Sequence, residues 1–469
     1  MARKNKEKLA LGSIITAGPG TGVQGGWKHP QAEHHRFLEI PYYVEIAQSM
    51  ERGGFDFIFF ADKLAIPGRN PESRELALRT GTWGAAHPDP LLIVAALAGA
   101  TKHLGLAVTL STSYQHPFTA ARSLATLDHL SGGRAVWNVV TSHDDAEAHN
   151  YGLARQLQRS ARYNRADEFV ETVFGLWDTW EDDAVIFDKE NNTVIDPAKV
   201  HELNHHGEHF HVQGPLNIPR PPQGRPVIAQ AGSSEEGRDF AARWAEVIFT
   251  PQPNIDVAKA FYTDLKSRLP KFGRTASELK VLPGALIIVG ENEAIAREKE
   301  ALLLELNDAR QALVQLSGMI EKDLSGYSLD EPAEPILSSI AVQGMQGHVN
   351  ALAAIARKDS LTLGQLARRF ASGLTFARFV GTPTQIADEI EKWFENYACD
   401  GFMLRTAYNP SGTEDIVRLL IPELRKRGLV RTEYTGKTLR ENIGLARPER
   451  ETWRQRLVTP EPIPAAATV

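Results

Sequence analysis

The sequence predicts an α/β protein folded as a closed (β/α)₈ TIM barrel with insertions. Three observations carry this reading. Short apolar runs alternate with longer amphipathic ones, the order expected of a parallel sheet covered by helices. About eight such repeats occur in 469 residues, which favours closure over an open sheet. The excess over a minimal barrel gathers in segments 63–87, 181–225 and 291–369, so residues 1–430 read as one barrel with insertions and 431–469 as a C-terminal extension.

Residues 9–15 alternate as a strand does. Arg3, Lys4, Lys6 and Lys8 ahead of them imitate a secretory signal, but Glu7 interrupts the charge and Gly12, Ser13 and Thr16 dilute the apolar stretch, so a strand is the better reading. A helix over 41–52 stops at Gly53-Gly54, and 55–60 is a buried strand. Helix 90–101 and strand 104–110 follow, then helix 119–130, which Gly132-Gly133 ends, and strand 135–140. After helix 162–180 come strand 226–231, helix 234–243, strand 245–250, helix 256–269 and strand 279–289. Helix 383–397, strand 401–404 and helix 413–427 complete the series. Segment 63–87 is polar with little periodicity, 181–225 is rich in His, Asn and Pro, and 291–369 is mainly helical. The Pro- and Ala-rich stretch 460–467 is expected to be mobile.

With 52 basic against 58 acidic residues, the charge of -6 argues against broad electrostatic binding of nucleic acid. The longest apolar run, 91–100, is too short to span a bilayer. A single cysteine, Cys399, excludes an internal disulfide framework and a Cys-ligated zinc cluster, and with no activating His nearby it reads as inert. The expectation is a soluble, cytoplasmic chain.

In such a barrel the active site lies at the carboxyl ends of the strands. The polar residues there are Asp62, Thr109 with Ser111 to His116, Asn138 with Thr141 to His143, and Gln230 to Ser234. A rim rich in hydroxyls and poor in charge suits a neutral heterocycle better than a metal cluster. Asp62 fits a general base or a carboxylate that fixes loop amides. His116, before Pro117, fits an acid–base role or the cap of the next helix. Ser233 and Glu236 have capping-box spacing, while Ser233, Ser234 and the amides of a helix start also fit a phosphate seat. Tyr163 fits the same anion or a half-buried packing position. Gly381-Thr382-Pro383-Thr384-Gln385 reads as a structural helix start. His201, His205, His206, His209 and His211 include chelating spacings, but Pro215, Pro219, Pro221 and Pro222 follow without an Asp partner, so a polar hairpin or loop is the plainer reading. A metal-dependent barrel hydrolase built on those histidines is the alternative from another class.

Gly54-Phe55-Asp56-Phe57-Ile58-Phe59-Phe60-Ala61-Asp62, Leu127-Asp128-His129-Leu130-Ser131-Gly132-Gly133-Arg134, Trp137-Asn138-Val139-Val140-Thr141-Ser142 and Arg162-Tyr163-Asn164-Arg165-Ala166-Asp167 stand out together with Gly26-Trp27-Lys28-His29-Pro30 and Arg431-Thr432-Glu433-Tyr434. In combination they resemble the bacterial luciferase-like flavin-dependent monooxygenases, and within them the nitrilotriacetate monooxygenase component A branch. The resemblance implies a barrel binding FMN, as FMNH2, at its carboxyl-end mouth. It implies that Asp62, Thr109, Asn138 and Thr141 line the ring and ribityl chain, and that Tyr163, Ser233 and Ser234 hold the phosphate. It implies a two-component reaction, in which a separate NAD(P)H:flavin oxidoreductase supplies FMNH2 and this chain uses it with O2 to oxidise a small organic substrate. Branch kinship points to an aminopolycarboxylate such as nitrilotriacetate, with organosulfur or alkyl compounds as the alternative. Lys28, His29, Arg69, Arg74 and His116 are then the candidate cations at the mouth. Insertion 291–369 is expected to serve as a lid, and the chain to be a homo-oligomer. Members often carry His four residues before the phosphate Tyr, where this chain has Arg159.

Overall fold

In a computed structural model of the chain the eight expected runs are eight parallel strands: β1 (Ala10–Ile15), β2 (Phe57–Phe60), β3 (Gly105–Ser111), β4 (Ala135–Val140), β5 (Val227–Gln230), β6 (Val247–Thr250), β7 (Lys280–Val289) and β8 (Gly401–Arg405). The structure describes residues 8–457 except 21–22, 69–70, 321, 341–345, 372 and 374–375. Each strand pairs with the next, and β8 returns to β1 through Ala10↔Gly401 to Ser13↔Leu404. Closure satisfies the backbone groups that an open sheet would leave at its edges. A further strand, Ala377–Gly381, pairs with the carboxyl half of β7 and was not expected, because Arg378 and Gly381 interrupt its apolar run.

Side chains alternate across every strand. On β4, Ala135, Trp137 and Val139 face outward into the helix-packed core with Leu124, Phe169 and Trp177. Val136 faces inward, with Phe57, Phe59, Ala107, Val227, Ala229, Val247, Leu282 and Met403.

The C-terminal extension plugs the amino end of the barrel. Leu439, Ile443 and Leu445 join the interior core, and the Leu439 amide donates to the Gly133 carbonyl. Arg440, 2% exposed, donates from Nη1 to Glu246 Oε1 at 2.6 Å and from Nη2 to Oε2 at 2.8 Å. The stretch 460–467 lies outside the described residues.

The insertions differ from expectation in one place. Segment 63–87 is not irregular throughout: Pro71–Thr80 is a helix that buries only Ala77 and Thr80, which is why it shows no apolar stripe. Segment 181–225 carries two antiparallel hairpins, Val185–Asp188 with Thr193–Ile195 and His205–His206 with His211–Val212. Segment 291–369 is helical, and from Ala309–Met319 to Leu363–Ala371 it has its own core, which includes Leu316, Leu337, Val349 and Leu366. It meets the loop after β1, where the Gln24 amide donates to the Ala371 carbonyl at 3.2 Å and Gln24 Nε2 to Gln311 Oε1 at 2.8 Å. Among the described residues no helix is long and apolar enough to cross a membrane.

Candidate active site

At the carboxyl ends several inward-facing positions stop being fully buried, while Ser111 on β3 stays buried. Ile14, Val140, Phe249 and Arg405 are half-buried while their neighbours along each strand stay buried, so the barrel opens into a hollow at this end. The expected site residues of β2 to β5 gather around it.

Thr109 and Asn138 are register partners on β3 and β4. Thr109 Oγ1 donates to the Phe60 carbonyl at 2.9 Å and accepts from Asn138 Nδ2 at 2.8 Å, which ties the ends of β2, β3 and β4 together. Asn138 is buried, and its Oδ1 has no partner in the protein. Leaving a buried acceptor unpaired costs about 1–3 kcal/mol, so this position is built to receive an N–H or O–H from outside the chain. A flavin ring, with its polar edge, fits that demand. Beyond Asn138, the half-buried Thr141 accepts from Ser113 Oγ at 2.5 Å through its carbonyl, and Ser142 Oγ lies 2.9 Å from Ser111 Oγ.

Asp62 is seen fixing a loop amide, the second of its two sequence readings. Its Oδ1 accepts from the Lys63 amide at 2.8 Å, which orders the loop, and stands 3.5 Å from His87 Nε2. Burial, reinforced by the like charges of Asp89 and Glu147 and opposed by the Lys63 amide, raises its carboxyl to about 6. Because the folded value lies above the ordinary one, the neutral carboxyl is the form that folding favours. Its contribution is fully present below about pH 4 and is lost as pH rises through about 6. Asp62→Asn is therefore expected to be more stable than the parent at pH 8 by roughly 1–3 kcal/mol, with the advantage gone at pH 4. Melting temperatures at the two pH values check this, and a difference that ignores pH would refute the assignment.

The expected phosphate side chains come together on the next strand connection. Ser234, not Ser233, is the N-cap of helix Glu235–Trp244: its Oγ accepts from the Gly237 amide at 3.1 Å, so the Ser233–Glu236 capping box is not formed and Ser233 stays exposed. The cap falls one residue later than spacing suggested because the helix begins at Glu235. Tyr163, on helix Arg159–Trp177, packs its ring 5.6 Å from Phe240 and hydrogen-bonds Ser234. Burial pushes its phenol upward, against the pull of Ser234, so it is a neutral donor. A Cβ built on Gly237 would lie 2.9 Å from the Tyr163 hydroxyl and 3.2 Å from Ser234 Oγ; glycine keeps this cradle open. Glu235 is drawn away by Arg268 at 2.7 Å and Arg238 at 3.0 Å. The first turn of helix Arg159–Trp177 holds no acid, and Arg159 and Arg162 sit there against the helix dipole, a placement that an anion would offset.

The remaining candidates are engaged elsewhere. His116 caps helix Pro117–Leu130, accepting from the Phe118 amide at Nδ1, 3.2 Å. Lys28 Nζ donates to the Leu306 carbonyl at 3.2 Å. His29 is buried and stacked on Tyr408 at 3.6 Å. Arg74 is exposed on its helix, and Arg69 lies outside the described residues. In the histidine-rich hairpins, His201 pairs with Glu181 at 2.8 Å and His205 with Glu168 at 3.2 Å, while the His206 and His211 rings stand 5.6 Å apart. Among the described residues no three His, Cys, Asp or Glu side chains are grouped to hold a metal ion.

Sequence reasoning missed the far half of the mouth. Arg405, at the end of β8, lies over the Phe376 ring at 4.4 Å, and Phe376 stacks on Phe249 of β6 at 5.8 Å. Gly284 on β7 makes room for both rings: a Cβ there would meet Phe376 at 2.5 Å and Phe249 at 2.8 Å. The available signal was the period of two on β8, where Arg405 follows the inward-facing Met403.

Comparison with known proteins shows what the chain is similar to. The luciferase-like monooxygenase family model matches residues 21–400. The chain is 44% identical to nitrilotriacetate monooxygenase component A of Aminobacter aminovorans, over 91% of this chain and 94% of that one. It is 40% identical to dibenzothiophene-sulfone monooxygenase of Rhodococcus erythropolis, over 95% and 98%. A crystal structure of riboflavin lyase (RcaE) with modified FMN and riboflavin superposes with a TM-score of 0.81, at 33% identity, over 93% of this chain and 96% of that one.

Proposed function

The chain belongs to the luciferase-like monooxygenase family, and on that premise we propose that it is the oxygenase component of a two-component system acting on an aminopolycarboxylate. It is a flavin-dependent monooxygenase that uses reduced FMN and O2 on a small organic substrate. A separate NAD(P)H:flavin oxidoreductase supplies the FMNH2 in this reading. The observation that carries the site assignment is the unpaired, buried Asn138 Oδ1, one strand away from the Tyr163–Ser234–Gly237 cradle.

Bound reduced FMN supplies the electrons that activate O2, so that one oxygen atom enters the substrate and the other leaves as water. The chain's own work is binding, orientation and exclusion of water. Asn138 and Thr109 take the polar edge of the ring, and Asp62 and Thr141 border it. Tyr163, Ser234 and the exposed Ser233 donate to the phosphate, with Arg159 and Arg162 supplying positive potential. Asp62, with its carboxyl near 6, holds or gives up a proton at its Oδ atoms close to neutral pH. The stacked Phe249 and Phe376 rings give the mouth an apolar wall that helps exclude water from the bound flavin. The helical segment 291–369 acts as the lid. Self-association is supported by helix Pro90–Ala100, which leaves Leu92 70% exposed in line with exposed Ala95, Ala96 and Gly99.

The substrate reading rests on kinship with the nitrilotriacetate enzyme. Oxygen uptake with a generic flavin reductase, NADH and FMN tests it directly. Nitrilotriacetate should stimulate uptake and yield oxidised product. Stimulation only by a dialkyl sulfide, a sulfone or an alkane would move the chain to the organosulfur or alkyl class, and no response to any panel member would overturn the reading.

A further inference from the structure

We propose that Arg405 is the residue that fixes a carboxylate of the substrate, on the half of the barrel mouth that the flavin constellation leaves free. The inference rests on the aminopolycarboxylate reading above and deepens it.

The argument starts from the division of the mouth. The residues suited to FMN come from β2, β3, β4 and the turn after β5. Around the rest of the ring the inward positions belong to Phe249 on β6, Gly284 on β7 and Arg405 on β8, with Phe376 entering beside them. Among the described residues this half holds two stacked aromatic rings and one cation, and the floor below it is closed by Met403 and Leu282, buried in the interior core. Arg405 is half-buried, so a ligand in the hollow can reach it.

The chemistry of the pair decides what it binds. A guanidinium donates its N–H groups in its own plane, in the fork that matches a carboxylate, and Arg405 holds its guanidinium carbon 4.4 Å from the centre of the Phe376 ring. Contact with the Phe376 ring restricts the Arg405 side chain and lowers the entropy lost when the fork engages. Gly284 is required for this platform, since any Cβ there would push Phe376 off Phe249 and take the support from under the guanidinium. Lys28 and His29, the cations suggested by sequence, are held in contacts with the Leu306 carbonyl and Tyr408. Arg405, at the carboxyl end of β8, faces the barrel interior on the side opposite Asn138 of β4.

The test uses the full chain with a generic flavin reductase. Arg405→Met should raise KM for nitrilotriacetate at least tenfold and leave FMN affinity, read by flavin fluorescence, within twofold of the parent. With nitrilotriacetamide, in which neutral amides replace the carboxylates, the parent should lose the same factor and the variant should lose nothing further. Arg405→Lys keeps the charge without the fork and should fall between the two at an unchanged melting temperature; it decides the matter if Arg405→Met does not fold. Unchanged KM in both variants while the parent oxidises nitrilotriacetate would reject Arg405 and leave the substrate class standing. A fall in FMN affinity equal to the rise in KM would assign Arg405 to the flavin instead. A parent that oxidises neutral sulfones and not nitrilotriacetate would reject the substrate class and the carboxylate role with it.

Discussion

Arg440→Met is expected to lower the unfolding free energy at pH 7 by about 3–5 kcal/mol, the cost of leaving one member of a buried ion pair uncompensated. The reason lies at the floor of the barrel. Glu246 is buried at the start of β6 and accepts from both Arg440 nitrogens and from the Ile228 amide at 3.1 Å. Burial alone would push its carboxyl up. Arg440, with Arg456 and Arg274, outweighs burial and holds it down at about 2. A depressed folded value means stability that is present above the ordinary carboxylate range and lost as pH falls through about 2. Removing Arg440 therefore hurts most at neutral pH and less in acid, where the orphaned carboxyl can take a proton. Arg440→Met with Glu246→Leu should recover part of the loss, because the orphaned carboxylate is gone, although Arg274, Arg456 and the Ile228 amide lose it as a partner. Denaturant unfolding at pH 7 and pH 4 measures all of this; a single variant costing under about 1 kcal/mol at pH 7 would show that the plug does not depend on the pair.

That floor also marks what the sequence could and could not convey. The barrel strands are buried on both faces, so they read as near-continuous apolar runs and all eight could be placed. The helix Pro71–Thr80 and the strand Ala377–Gly381 bury little or alternate with charge, and local pattern alone does not separate them from loops. The role of residues 431–457 was illegible for another reason: nothing local states that Leu439, Ile443 and Leu445 fit the amino end of a distant barrel.

The same distinction runs through the candidate site. Thr109 and Asn138 could be placed because they sit on strands whose register follows from the apolar run. Ser233 and Ser234 could be placed only to within one residue, since the helix start that selects between them is set by packing. Arg405 was hidden because the apolar run stops at Leu404, and its direction follows only once Met403 is known to face inward. His87 was hidden because its partner Asp62 lies across an insertion. Gly237 was hidden as well: the side chain that makes its missing Cβ matter, Tyr163, comes from a different helix.

Gly237→Ala should weaken FMN binding on the order of a hundredfold or more and leave riboflavin binding as it is. The added Cβ would stand 2.9 Å from the Tyr163 hydroxyl and 3.2 Å from Ser234 Oγ, and because these two groups are hydrogen-bonded to each other, relieving the crowding displaces both. Tyr163 cannot swing aside freely because its ring packs on Phe240. Ser234 cannot turn without abandoning the Gly237 amide it caps. Each hydrogen bond to a phosphate is worth about 1.5–3 kcal/mol, so losing two removes about 3–6 kcal/mol, which is on the order of 10²- to 10⁴-fold in affinity. Tyr163→Phe removes one and should cost roughly tenfold to a hundredfold. Riboflavin has no phosphate to lose, so the ratio of the two affinities, read from flavin fluorescence, isolates the cradle from any change at the ring. Alanine is a better helix former than glycine by about 1 kcal/mol, so a fall in FMN affinity cannot be charged to a weakened helix if the melting temperature holds. A Gly237→Ala variant that still prefers FMN over riboflavin as strongly as the parent would place the phosphate somewhere other than beside Tyr163 and Ser234.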